Sequence, residues 1–159
     1  MNKTALILLA GVFAGTLSAE TNWNKWGRPA GSTVKGEKVS FAAPSGKRTE
    51  LLKQVPMEKD NFYRISFDLD FTASAPVEIK YGFSEPAKLP YSFVACKVSN
   101  GKISPVVYSY AQENLSPFFR LYYTAPEETK GVFANPKFEK VPAEALKKVV
   151  VPENGTVAQ

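Results

Sequence analysis

The chain has 159 residues, with 20 Lys or Arg against 15 Asp or Glu, a formal charge of +5, one cysteine and no histidine. The missing imidazole removes serine–histidine and cysteine–histidine catalysis, and it leaves any zinc site to carboxylates alone, an uncommon ligand set. The single Cys96 excludes an intramolecular disulfide, and the scattered basic residues form no concentrated stripe, so no nucleic-acid partner is expected.

Residues 1–19 have the form of a secretory signal peptide: Lys3, an apolar run from Ala5 to Leu17, then small residues ending at Ala19. The apolar run is shorter than the roughly 20 residues that span a bilayer. Cleavage before Glu20 therefore predicts a mature chain that is exported, periplasmic or extracellular, and without a transmembrane segment. That mature chain is the size of one domain with one hydrophobic core, expected over 20–141.

A polar, glycine-rich lead from Thr21 to Gly36 carries both tryptophans, Trp23 and Trp26. Short strands are then predicted near Lys38 to Ala42, Glu50 to Val55, Tyr63 to Phe71, Val77 to Phe83, Tyr91 to Val98, Val106 to Tyr110, Phe118 to Thr124 and Val132 to Val141. Turn formers punctuate them at Pro44-Ser45-Gly46, Lys59-Asp60-Asn61, Ala75-Pro76, Asn100-Gly101, Ser116-Pro117 and Pro126-Glu127. The clearest strand is Tyr63 to Phe71. Its odd positions, from Tyr63 through Ile65, Phe67 and Leu69 to Phe71, form one dry face, and Arg64, Ser66, Asp68 and Asp70 form the wet one. Asn100-Gly101 predicts a hairpin that pairs Tyr91 to Val98 with the strand after Lys102. Pro136 interrupts the last strand and implies an edge or a bulge. Cys96 alternates with Val94 and Val98, as a buried, inert thiol would. Residues 142–159 change character, and a flexible tail is expected there. The pattern is all-β: an antiparallel β-sandwich of jelly-roll type with about eight strands and no long helix.

Several local patterns resemble the galactose-binding-like jelly rolls that serve as carbohydrate-binding modules in secreted bacterial polysaccharide-degrading enzymes, the CenC-type carbohydrate-binding domains. Trp26 precedes the short strand Val39-Ser40-Phe41, and Leu52-Lys53-Gln54-Val55 stands before a turn. That turn leads into Phe62-Tyr63-Arg64-Ile65-Ser66-Phe67-Asp68. Phe119-Arg120-Leu121-Tyr122-Tyr123 and Gly131-Val132-Phe133-Ala134-Asn135-Pro136-Lys137-Phe138 are similar to the family's closing strand pair. The likeness covers roughly Trp23 to Val141. It implies a jelly-roll fold and a noncatalytic module that binds polysaccharide or glycan.

Sugar recognition uses aromatic planes that stack on pyranose rings, with amides, carboxylates or guanidinium groups for the hydroxyls. The candidates are Trp23 and Trp26 in the lead, Asp68 and Asp70 on the wet face, Tyr108 and Tyr110 on one strand face, and Arg120 with Tyr122. Alternation sends Phe119, Leu121 and Tyr123 inward and leaves Arg120 and Tyr122 outward. If their strand adjoins Tyr63 to Phe71, Arg120 meets Asp68 and Asp70 in an ion pair. Core packing competes for Tyr108 and Tyr110, and burial competes for the tryptophans. Asp68 and Asp70 lie about 7 Å apart along their strand, a separation within the glycosidase range. Every i, i+2 pair on a strand has this spacing, so no catalytic residue, metal or cofactor is assigned. A second class of function, a structural or assembly protein of the envelope or extracellular matrix that binds another protein through a sheet face or edge, fits the same composition.

Overall fold

The computed structural model describes residues 21–83, 93–143 and 155–158; the signal-peptide segment and most of the expected tail lie outside them. In chain order the described elements are a 3-10 turn at Trp23–Lys25, then β1 Thr33–Lys35, β2 Lys38–Ala43, β3 Arg48–Gln54 and β4 Asn61–Phe83. They continue with β5 Phe93–Ile103, β6 Val106–Ala111, β7 Phe118–Thr124, β8 Thr129–Val141 and β9 Gly155–Ala158. Every pairing among them is antiparallel.

β4 organises the molecule. It joins two predicted strands into one, because the Ala75-Pro76 pair does not end it. The ladder with β5 shifts register between Thr72 and Val77. Pro76 falls inside that irregularity, where its missing N–H breaks no ladder hydrogen bond. The first half of β4 pairs with β8 on one edge and β6 on the other, and its second half pairs with β7 and β5. Two layers result. One runs β1-β2-β8-β4-β6, and the other runs β3-β7-β4-β5-β9. Their facing sides carry the core: Ile65, Leu69, Phe71 and Phe133 from the first meet Leu51, Ile79, Tyr81, Phe119 and Leu121 from the second, all fully buried. The predicted inward set Phe119, Leu121 and Tyr123 is inward.

Asn100-Gly101 does not turn the chain. It lies inside β5 opposite Thr72 and Phe71, where the Asn100 side-chain oxygen accepts from the Ala73 N–H and Gly101 takes a φ of +119°. The glycine bends a strand beside the β4 irregularity instead of reversing it. β5 and β6 therefore do not pair with each other. They lie end to end along the same edge of β4, interrupted only at Ser104-Pro105. Pro136 does mark a bulge, since Asn135 and Pro136 sit opposite Phe67 alone and Asn135 has a φ of +52°. β2 also stops pairing at Ala134, just before this bulge. Two short strands were not predicted: β1 in the polar lead, and β9, whose backbone pairs with Phe93 to Cys96 where loose order was expected.

Candidate functional site

The outer face of the β1-β2-β8-β4-β6 layer carries the polar positions of β4, and two adjoining clefts open on it. The larger, about 780 Å³, is lined by Ser66, Asp68, Ser104, Asn135, Lys137 and Glu139 among others. The smaller, about 410 Å³, includes Ser40, Asp70, Thr72, Lys130 and Val132. Asp68 and Asp70 are two residues apart on β4, so the clefts succeed one another along the wet face of that strand. Together they form a trough in which hydrogen-bonding side chains alternate with apolar surface.

The larger cleft exists because two neighbours of β4 are irregular at the same level. On one side β8 bulges at Asn135-Pro136; on the other the edge breaks at Ser104-Pro105 between β5 and β6. Asp68 joins both. Its Oδ1 accepts from the Ser104 hydroxyl at 2.5 Å, and its Oδ2 accepts from Asn135 Nδ2 at 2.8 Å and meets Lys102 Nζ at 3.4 Å. The hydrogen bonds from Ser104 and Asn135, then the nearby Lys102 charge, hold its carboxyl below the ordinary aspartate range. Asn135 is fixed further by its N–H, which donates to the Glu37 carbonyl at 3.1 Å. Glu37 in turn accepts from the Thr21 N–H at 2.7 Å and from the Thr21 hydroxyl.

Beyond Ser66 the face continues in a cross-strand row of Tyr108, Arg64 and Glu139. Arg64 Nε donates to Glu139 Oε2 at 2.8 Å, and the same carboxylate oxygen accepts from Nη2. This pairing raises the Arg64 pKa. The next row holds Phe62 and Tyr110 with ring centroids 4.7 Å apart, and the Tyr110 hydroxyl donates to Asp60 at 2.9 Å. The sheet thus offers hydroxyls, carboxylates, an amide and ammonium groups along its length, with aromatic rings at one end.

The structure separates the sequence-derived candidates into three places. Asp68, Asp70, Tyr108 and Tyr110 share the outer face just described; the inward positions of β6 are Val107, Ser109 and Ala111, so Tyr108 and Tyr110 are not core. Arg120 and Tyr122 are outward as expected, but on the opposite layer. The expected ion pair of Arg120 with Asp68 or Asp70 is therefore absent, because β7 adjoins the second half of β4 and places Arg120 across from Gly82. Arg120 instead meets Glu50 of β3 at 3.5 Å, and Arg48 lies 4.0 Å above the Tyr122 ring. Trp23 and Trp26 are both only 6% exposed. They sit 5.3 Å apart and seal one side of the sandwich, with Trp26 against Phe119 and Phe133 from the two layers. Neither presents a ring face to a ligand. The residues that hold Asp68, namely Ser104, Asn135 and Lys102, were not singled out as site residues from the sequence, although Pro136 marked one of the two strand interruptions that shape the cleft and Pro105 stands at the other.

No protein-family profile matches the chain, and no curated protein sequence matches it. Among solved structures, it is similar to a CBM4 structure at 9% identity and a TM-score of 0.56, covering 75% of this chain and 96% of that one. It is also similar to the N-terminal cellulose-binding domain of β-1,4-glucanase C from Cellulomonas fimi. There the identity is 11% and the TM-score 0.52, over 75% of this chain and 90% of that domain. At such identities the likeness establishes a shared fold: the antiparallel jelly-roll sandwich expected from the strand pattern. Among the described residues no helix is long and apolar enough to cross a membrane, and no cluster of His, Cys, Asp and Glu could hold a metal ion.

Proposed function

We propose that this protein is an exported, noncatalytic carbohydrate-binding module whose ligand lies along the outer face of the β1-β2-β8-β4-β6 layer. The observation that carries the reading is the trough itself. Two adjoining clefts are lined by Ser66, Asp70, Thr72, Asn135 and Lys137, groups that exchange hydrogen bonds with sugar hydroxyls. The fold shared with a cellulose-binding domain supports the same reading. Tyr108 and Tyr110 supply ring surface at one end of the trough. The residues act by binding alone, since the carboxylates of the larger cleft are already engaged: Asp68 by Ser104, Asn135 and Lys102, and Glu139 by Arg64.

The rival reading, association with another protein, needs a contiguous apolar patch if it runs through a sheet face, or an open edge strand if it runs through an edge. The large exposed hydrophobics among the described residues are Val34 and Phe118, which stand on different layers.

A glycan panel probed with the chain from Glu20 onward tests the proposal. Asp70→Ala and Tyr108→Ala are expected to weaken binding about fivefold or more, as losing one hydrogen-bonding or stacking partner does. Tyr122→Ala, on the opposite layer, is expected to leave it unchanged. Loss of binding in Tyr122→Ala alone would move the site to the other face, and absence of any glycan binding at millimolar concentration would end the carbohydrate reading.

A further inference from the structure

We propose that the free edge of β6 pairs antiparallel with the same edge of a second copy of this chain, about a two-fold axis at Ser109. The proposal goes beyond the carbohydrate reading and does not rest on it. Among the described residues β6 pairs with β4 alone, so one side of its backbone has no ladder partner. Such an edge is a template for another strand, and proteins ordinarily guard it with charge, proline, a bulge or brevity.

β6 has none of these guards. Its sequence, Val106-Val107-Tyr108-Ser109-Tyr110-Ala111, holds no charge, proline or glycine, and its register with β4 runs unbroken from Val106 opposite Ser66 to Ala111 opposite Asn61. Valine and tyrosine are also strong strand formers. The other edges are guarded. β1 spans only Thr33–Lys35 and β9 only Gly155–Ala158; β3 carries Arg48 and Lys53, and the stretches of β5 and β8 that continue beyond β9 and β2 carry Lys97 and Lys137.

Ser109 indicates what occupies the edge. It is only 3% exposed, and its hydroxyl has no hydrogen-bond partner among the described residues. A buried hydroxyl left alone costs free energy that a single partner recovers. An antiparallel pair centred on Ser109 sets this residue opposite itself, with Cβ atoms about 4.5 to 5.5 Å apart, close enough for the two hydroxyls to hydrogen-bond. The same register suits the neighbouring positions. Tyr108 falls opposite Tyr110 of the second copy on the outer face, an aromatic cross-strand pair, and Val107 falls opposite Ala111 of the second copy on the inner face. No like charges meet, because β6 carries none. This is the self-complementarity that a two-fold interface requires, and it closes on itself, since each copy uses up its β6 edge. The two outer faces then form one continuous sheet with both troughs on the same side.

Sedimentation velocity of the chain from Glu20 onward, between about 1 µM and about 500 µM, tests the pairing. A monomer–dimer equilibrium is expected, weak because the paired strands are short. Tyr110→Lys puts an ammonium into each half of the seam and is expected to weaken the dimer at least about tenfold. Ser109→Ala is expected to weaken it about fivefold while leaving the monomer's urea midpoint unchanged or raised, since it removes a hydroxyl that only the dimer satisfies. In a Cys96→Ala background, Ser109→Cys is expected to give a disulfide-linked dimer on mild oxidation, whereas Ala111→Cys, opposite Val107, is not. If Tyr110→Lys loses the native circular dichroism, the two cysteine variants decide alone. A chain still monomeric at the highest concentration overturns the proposal and leaves the edge to a different protein. A dimer that folded Tyr110→Lys leaves intact overturns it by placing the interface elsewhere, and growth into open-ended oligomers overturns the closed pair. Equal cross-linking of both cysteine variants overturns the register.

Discussion

At the scale of the residue, Asp68 turns two backbone irregularities into one cleft wall. Its carboxylate ties Ser104, at the break between β5 and β6, to Asn135, in the β8 bulge. Asp68→Asn keeps the shape but puts an amide against donors on both sides, and a loss of about 1 to 2 kcal/mol is expected. The sign of its pH dependence comes from the lowered pKa, caused first by Ser104 and Asn135. As pH falls, the unfolded chain takes up the proton before the folded one. The contribution of Asp68 is therefore complete above the ordinary aspartate value and is lost as pH falls through the folded value. Urea midpoints from about pH 6 to about pH 3 are expected to show the gap between wild type and Asp68→Asn closing in acid; a constant gap would assign the loss to shape. Cys96 makes the opposite case. Burial pushes its thiol up to about 11, so alkylation of the native protein at about pH 8 is expected to be negligible and complete only in denaturant. Rapid native labelling would show that the core opens.

At the scale of the element, alternation was legible wherever one sheet face is dry. The stretch from Tyr63 to Phe71 keeps to the expected faces residue by residue; of its outward set, Ser66, Asp68 and Asp70 line the trough, and Arg64 continues the same face beyond it. Local turn signals were less dependable. Asn100-Gly101 has the composition of a hairpin turn, yet β5 gains more by running on along β4 past that point, so tertiary pairing overrode the local preference. The placement of Arg120 was hidden for a related reason. Nothing in β7 states which half of β4 it will join, and that choice decides which layer it faces. β8 also carries a glycine whose need appears only in three dimensions. A side-chain carbon at Gly131 would come within 2.3 Å of the Phe41 ring, which packs across it from β2. Gly131→Ala is expected to cost about 1 to 3 kcal/mol through displacement of that ring. Chemical denaturation checks this, and an unchanged midpoint would mean that Phe41 moves freely.

At the scale of the whole molecule, the two layers are not separate units joined by loops. β4 belongs to both, and the run of β5 and β6 accompanies it from one layer into the other. The tryptophans tighten the same coupling. Trp26 lies 6.2 Å from Phe119 of β7 and 5.3 Å from Phe133 of β8, so its ring spans the gap between layers, while the Trp23 indole N–H donates to the Gly36 carbonyl at 2.8 Å. Neither layer can lose its order without exposing the core face of the other, and apolar exposure on that scale is what makes small domains unfold in a single step. Tryptophan fluorescence, which reports the seam between layers, and far-ultraviolet circular dichroism, which reports the sheets, are therefore expected to change with coincident midpoints in urea. Trp26→Ala should shift both midpoints together, at a cost of about 3 to 5 kcal/mol for a buried aromatic truncated to alanine. A fluorescence transition that precedes the loss of sheet signal would show that the tryptophan seam opens first. In that case the trough would rest on a layer able to keep its order by itself, and the proposed glycan binding would outlast the seam as denaturant rises.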